Sequence, residues 1–141
     1  MYGFNLGFTT KVFGDFDFGV NYSLSKNETD DTVALEDEDI ENGFNTPENA
    51  VKVRFGNDNL FKNFGFNINA RWQDEFLYNS VFVDAVIESR TVLDAQVNYN
   101  VPAMKSTFKI GGTNLGGKNY TSVPGTGLIG SQYYISWTIN N

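Results

Sequence analysis

Tyr2-Gly3-Phe4-Asn5-Leu6-Gly7-Phe8-Thr9-Thr10-Lys11-Val12 alternates, and its alternation decides the fold. The even positions carry Tyr2, Phe4, Leu6, Phe8, Thr10 and Val12. The odd positions carry Gly3, Asn5, Gly7, Thr9 and Lys11. Successive side chains on a β-strand point to opposite faces, so this period of two predicts a strand with one apolar and one polar face. After Phe13-Gly14-Asp15, a tight hairpin connection, the same pattern resumes. Phe16, Phe18, Val20, Tyr22 and Leu24 share one face; Asp17, Gly19, Asn21, Ser23 and Ser25 share the other.

Working outward, five more segments repeat the pattern. Val51, Val53 and Phe55 alternate with Lys52, Arg54 and Gly56. Phe64, Phe66, Ile68, Ala70 and Trp72 alternate with Gly65, Asn67, Asn69, Arg71 and Gln73. Leu93, Ala95, Val97, Tyr99 and Val101 alternate with Asp94, Gln96, Asn98 and Asn100. Ser106, Phe108 and Ile110 form a shorter sixth segment. Tyr133, Ile135, Trp137 and Ile139 form the seventh. No segment sustains a period of 3.6; residues 33–40 alone leave room for a short helix. The fold class expected is all-β, an antiparallel up-and-down meander of about seven strands.

Composition removes most catalytic templates. The 141 residues suffice for one domain. With Cys 0 and His 0, disulfides, thiolate or imidazole metal sites and Ser-His or Cys-His nucleophiles are all excluded. The net charge of −7 comes from one place. Glu28, Asp30, Asp31, Glu36, Asp37, Glu38, Asp39 and Glu41 fall in residues 27–41 without a single Lys or Arg. Elsewhere the charges nearly balance, and no basic patch for nucleic acid exists. Asp37, Asp39 and Glu41 precede Gly43 but lack EF-hand spacing, so this stretch reads as a solvated loop rather than a Ca²⁺ site. The Gly111-Gly112…Gly116-Gly117 stretch has no helix pattern after it and is no phosphate cradle. No cofactor and no enzymatic activity are expected.

Several segments run nine to eleven residues, longer than the mode of about 5–6 for soluble sheets. The connections alternate short and long: residues 13–15, 57–62 and 102–103 are short, whereas 26–47, 74–90 and 114–131 are long. Tight turns at one end and large loops at the other suit an outer-membrane barrel, and strands of this length match its apolar band. There is no continuous apolar run for a transmembrane helix or a secretory signal. The charges Lys11, Asp17, Lys52, Arg54, Arg71, Asp94 and Lys109 all fall on the polar face. In a barrel, Lys52, Arg54, Arg71, Asp94 and Lys109 are the lumen-facing candidates. Trp72, Tyr99, Tyr133 and Trp137, with Phe16, Tyr22 and Phe64, are candidate interfacial aromatics. An odd strand count, with the first strand starting at the loop end, leads us to expect the C-terminal part of a longer barrel.

Particular motifs add a family resemblance. They are Thr46-Pro47-Glu48-Asn49; Asn59-Leu60-Phe61-Lys62-Asn63-Phe64-Gly65-Phe66 with Arg71-Trp72-Gln73; Leu93-Asp94-Ala95-Gln96-Val97; and Gly112-Thr113-Asn114-Leu115 with Lys118-Asn119-Tyr120. Gly130-Ser131-Gln132-Tyr133-Tyr134-Ile135-Ser136-Trp137 resembles a closing strand. In this order and spacing the chain resembles the C-terminal barrel strands of TonB-dependent outer-membrane receptors of the Bacteroidota type. It departs from many such barrels in ending Ile139-Asn140-Asn141 rather than on an aromatic. The resemblance implies a partial transmembrane β-barrel in the cell outer membrane, taking part in energised uptake of a nutrient ligand. It implies as partners outer-membrane lipid, a plug domain and N-terminal strands outside this sequence, TonB through that absent part, and a surface lipoprotein. Two alternatives stay open: a small outer-membrane barrel with a structural or adhesive role, and a soluble β-barrel binding an apolar ligand.

Overall fold

Phe13 and Gly14 take positive φ (49° and 93°), which turns the chain back on itself at the first hairpin. A computed structural model describes residues 2–26 and 45–139. The hairpin joins β1 (Tyr2–Val12) to β2 (Phe16–Lys26) in an unbroken antiparallel register from Tyr2↔Lys26 to Val12↔Phe16. β3 (Asn49–Phe61) and β4 (Phe64–Gln73) follow, then a small separate hairpin of β5 (Phe76–Tyr78) and β6 (Ala85–Ile87). β7 (Arg90–Val101), β8 (Ser106–Thr113) and β9 (Gln132–Ile139) complete the main sheet. Its order is β1-β2-β3-β4-β7-β8-β9, every neighbour antiparallel. The fold is thus the all-β, seven-stranded antiparallel meander expected.

The sheet is open: among the described residues, β1 and β9 each have one paired edge. Both strands run from the loop end to the turn end, because seven is odd.

Register aligns the two faces across all seven strands. One apolar row runs Phe8↔Val20↔Val53↔Ala70↔Leu93. Another runs Phe66↔Val97↔Ile110↔Ile135. On this face Phe16, Phe55 and Phe66 cluster with ring centroids 5.4 to 6.2 Å apart, and Phe108 stacks on Trp137 at 6.0 Å. Yet no apolar side chain of this face is buried. The buried hydrophobic residues among those described are Ile87, in the small hairpin, and Val92, on the polar face. Phe4, Leu6, Phe8, Ile110, Ile135 and Trp137 stand more than half exposed. A water-soluble sheet normally buries such a face against a second layer, and none covers it among the described residues.

The elements depart from the sequence reading in four places. β3 continues through residues 57–61, which were expected to be turn; the pairing is irregular there and the turn shrinks to Lys62-Asn63. The cause is local. The Asn57 side chain accepts the Asn59 N–H at 2.7 Å, the Asn59 side chain accepts the Asn63 N–H at 3.2 Å, and Asn63 takes φ 69°. The connection at residues 74–90 holds β5 and β6, strands too short to alternate visibly. Residues 102–104 form a 3-10 turn closed by Lys105 at φ 45°. β8 extends to Thr113. The helix considered at residues 33–40 and the acidic stretch at 27–41 lie outside the described residues.

Candidate functional site

The polar face carries every charge the sequence assigned to it. Lys52 lies directly opposite Arg71, and Arg54 opposite Asn69, which in turn faces Asp94. These five side chains share one face because β3, β4 and β7 pair in register and each residue stands an even number of positions from the next. They border an open trough of about 640 Å³, with Thr9, Asp17 and Asn21 on its β1–β2 side. A second trough, of about 350 Å³, continues past Arg54 and Asp94 to Asn98, Thr113 and Tyr134. Most of the residues lining both troughs belong to the polar face. Lys109 shares this face, opposite Asn98 and Ser136, but lies outside the larger trough.

Asp94 is a structural hub rather than a free carboxylate. One oxygen accepts from the Arg71 guanidinium at 2.8 Å and the other from the Asn114 backbone N–H at 3.1 Å. Lys11 and Asp17 sit across the first hairpin at 3.7 Å. Arg71 is half-exposed and Lys11 more so, so each pair contributes little on its own, about 0–1 kcal/mol. Tyr134 reaches inward from β9 and donates to Gln96 at 2.8 Å.

The motif around Asn114 shows what its residues do. Asn114 takes φ 52° and is 2% exposed. Its amide donates to the Lys118 carbonyl at 3.1 Å, and its carbonyl accepts the Ser131 hydroxyl at 2.5 Å. The next residue, Leu115, donates its N–H to the Leu93 carbonyl at 2.8 Å. Further on, Tyr120 pairs with Ile129 and lies under the Arg90 guanidinium, 4.5 Å from the ring centroid. Arg90 also donates to the Thr121 carbonyl at 2.8 Å. The Asn-Leu…Tyr pattern therefore locks the connection between β8 and β9 onto β7. The sequence displayed the pattern but not its role, which depends on the loop folding back.

The described parts of the three long connections meet at one end. Asn45 exchanges two hydrogen bonds with Asn79, at 2.9 and 2.7 Å. Asn49 accepts from the Tyr22 hydroxyl at 2.5 Å and donates to Asp74 at 2.7 Å. A cavity of about 490 Å³ separates the β6–β7 corner from the last connection, lined by Glu88, Arg90, Lys118, Tyr120 and Leu128 among others.

The seven aromatics named from the sequence stand on the apolar face, with Phe16 and Phe64 half-buried at the turn end and Tyr22 half-buried within β2. Trp72 and Tyr133 lie at the loop end of β4 and β9; Tyr99 and Trp137 lie toward the turn end of β7 and β9. All four are exposed. Aliphatic Ile68, Ala70, Leu93, Val97 and Ile110 occupy the middle.

Among the described residues, no group of three or more potential metal ligands converges and no helix is long and apolar enough to cross a membrane. Comparison with protein-family models, with curated proteins and with solved structures finds no match to this chain.

Proposed function

We propose that this chain is a section of an outer-membrane β-barrel wall, and that the barrel serves TonB-dependent uptake of a nutrient ligand. One observation carries the first half: an apolar face continuous over seven strands, none of its apolar side chains buried, backed by a continuous polar face. Lipid is the solvent in which such a face is stable without a second layer. Dimensions support this. Eleven residues at about 3.3 Å each, tilted by about 40°, rise roughly 28 Å, against an apolar band of about 25 Å. Trp72 and Tyr133 then mark one interface, Tyr99 and Trp137 the other. Lys52, Arg54, Arg71, Asp94 and Lys109 face the lumen.

The second half rests on the motif resemblance, supported by three long connections at one end and tight turns at the other. The open edges of β1 and β9 are completed by strands outside the described residues, since lipid does not tolerate unpaired backbone. In this reading the chain supplies wall and loops; ligand pulling through TonB belongs to a plug it meets. No residue is assigned a catalytic role.

The test is solubility. Expressed alone, the chain is expected to aggregate in plain buffer and to give a β-sheet circular dichroism spectrum only in detergent micelles. A monomer with a sharp, cooperative melt in plain buffer would sink the reading and favour a soluble protein.

A further inference from the structure

Lys52 and Arg71 stand directly opposite each other on neighbouring strands. Like charges in that position are destabilising unless something neutralises them. One position further toward the loop end on the same face, Gln73 faces Arg90 across β4 and β7. These four side chains surround a cavity of about 150 Å³, floored by Val92 and bordered on the loop side by Tyr120. Three of the four are cations that only donate hydrogen bonds, Gln73 adds an amide N–H₂ beside its acceptor oxygen, and no carboxylate lines the space.

Partners inside the protein do not use up these donors. Arg71 is engaged by Asp94 through one nitrogen, and Arg90 by the Thr121 carbonyl through one nitrogen. Each guanidinium carries five N–H groups. Lys52 has no acid within ion-pair distance among the described residues. The Gln73 side-chain nitrogen is buried and has no acceptor among the described residues. A buried donor left empty is costly; Lys52 and Arg71 beside it keep contact with water, and an oxyanion is the solute group that both accepts from the amide and offsets the clustered positive charge. The space holds about five waters' volume, enough for one carboxylate or phosphate group with residual water.

We propose that this pocket binds the carboxylate or phosphate group of a solute. It opens on the polar face, opposite the apolar side chains, so a lipid headgroup does not reach it in the barrel reading. The proposal goes beyond that reading and does not depend on it, because every lining residue belongs to the described sheet and its last loop.

The experiment is calorimetry on the full chain folded in detergent micelles, at low ionic strength. Inorganic phosphate and acetate are titrated separately. Saturable binding of either probe is expected. Gln73→Leu and Lys52→Met should each weaken it about tenfold or more, as removal of a hydrogen bond to a charged group does. Lys109→Met, on the same face but away from the pocket, should leave it unchanged. Phosphate or acetate should also raise the melting temperature of the native chain more than that of Lys52→Met. Circular dichroism establishes that each variant keeps its sheet; if Lys52→Met does not fold, Gln73→Leu, which alters no charge, carries the comparison. Absence of saturable heat with both probes overturns the proposal. So does equal weakening by Lys109→Met, which would mark diffuse attraction rather than a site. A chain that proves soluble without detergent is titrated in buffer, so the barrel reading and the anion site fail separately.

Discussion

Gly117 lies so close to Asn114 that a methyl group on its Cα would overlap the buried amide. Asn114 cannot retreat, because its side chain holds the Lys118 carbonyl and its backbone holds Asp94 and Ser131. Gly117→Ala should therefore destabilise the folded chain by about 1–3 kcal/mol, the usual cost of overpacking. Gly127→Ala, with nothing within 4 Å of the new methyl, should change stability by less than about 0.5 kcal/mol. Urea titration in micelles, followed by circular dichroism, measures both. At this scale the sequence was partly legible. The Asn114, Leu115 and Tyr120 pattern stands out in the chain, and so does the run of glycines. What makes one glycine obligatory is a fold-back contact that no local propensity encodes. The pocket formed by Lys52, Arg71, Gln73 and Arg90 escaped for a related reason. The four residues come from three strands, and only the register between those strands places them together.

At the scale of elements, period two carried the reading. β1, β2, β4 and β7 are long enough for alternation to declare both the strand and its faces. β5 and β6, at three residues each, are not. Residues 57–62 read from the sequence as a short turn, but Asn57-Asp58-Asn59 make an irregular strand end instead. The two faces of one strand provide a contrast that a covered soluble sheet and a lipid-facing wall answer differently. Ile68 lies mid-strand on the apolar face of β4, and Asn67 beside it on the polar face. In lipid, Ile68→Lys should cost about 2–4 kcal/mol, and Asn67→Lys no more than about 1 kcal/mol. Comparison of the two urea midpoints in lipid-loaded micelles checks the difference. Equal costs would mean that the apolar face does not meet hydrocarbon.

At the scale of the whole molecule, parity matters most. β1 and β9 both run from the loop end to the turn end, so pairing them directly would make a parallel contact in an otherwise antiparallel sheet. An all-antiparallel barrel that includes this wall needs an odd number of further strands between them. The meander order and the two-faced sheet were legible because every strand neighbours the next in sequence except across the small hairpin. The troughs on the polar face and the meeting of the described loop segments were not, since both arise from register and loop packing.

The central claim is that one face of this sheet lies in hydrocarbon and the other in water. The chain has no native Cys, so single cysteines can be placed along β4 from Phe66 to Trp72 and spin-labelled one at a time. Electron paramagnetic resonance then compares relaxation by oxygen, which concentrates in hydrocarbon, with relaxation by a water-soluble nickel chelate. The account predicts a period of two: labels at Phe66, Ile68, Ala70 and Trp72 respond to oxygen, and labels at Asn67, Asn69 and Arg71 to nickel. Equal nickel access at every position, or both agents excluded at the apolar positions as in a packed core, would contradict it.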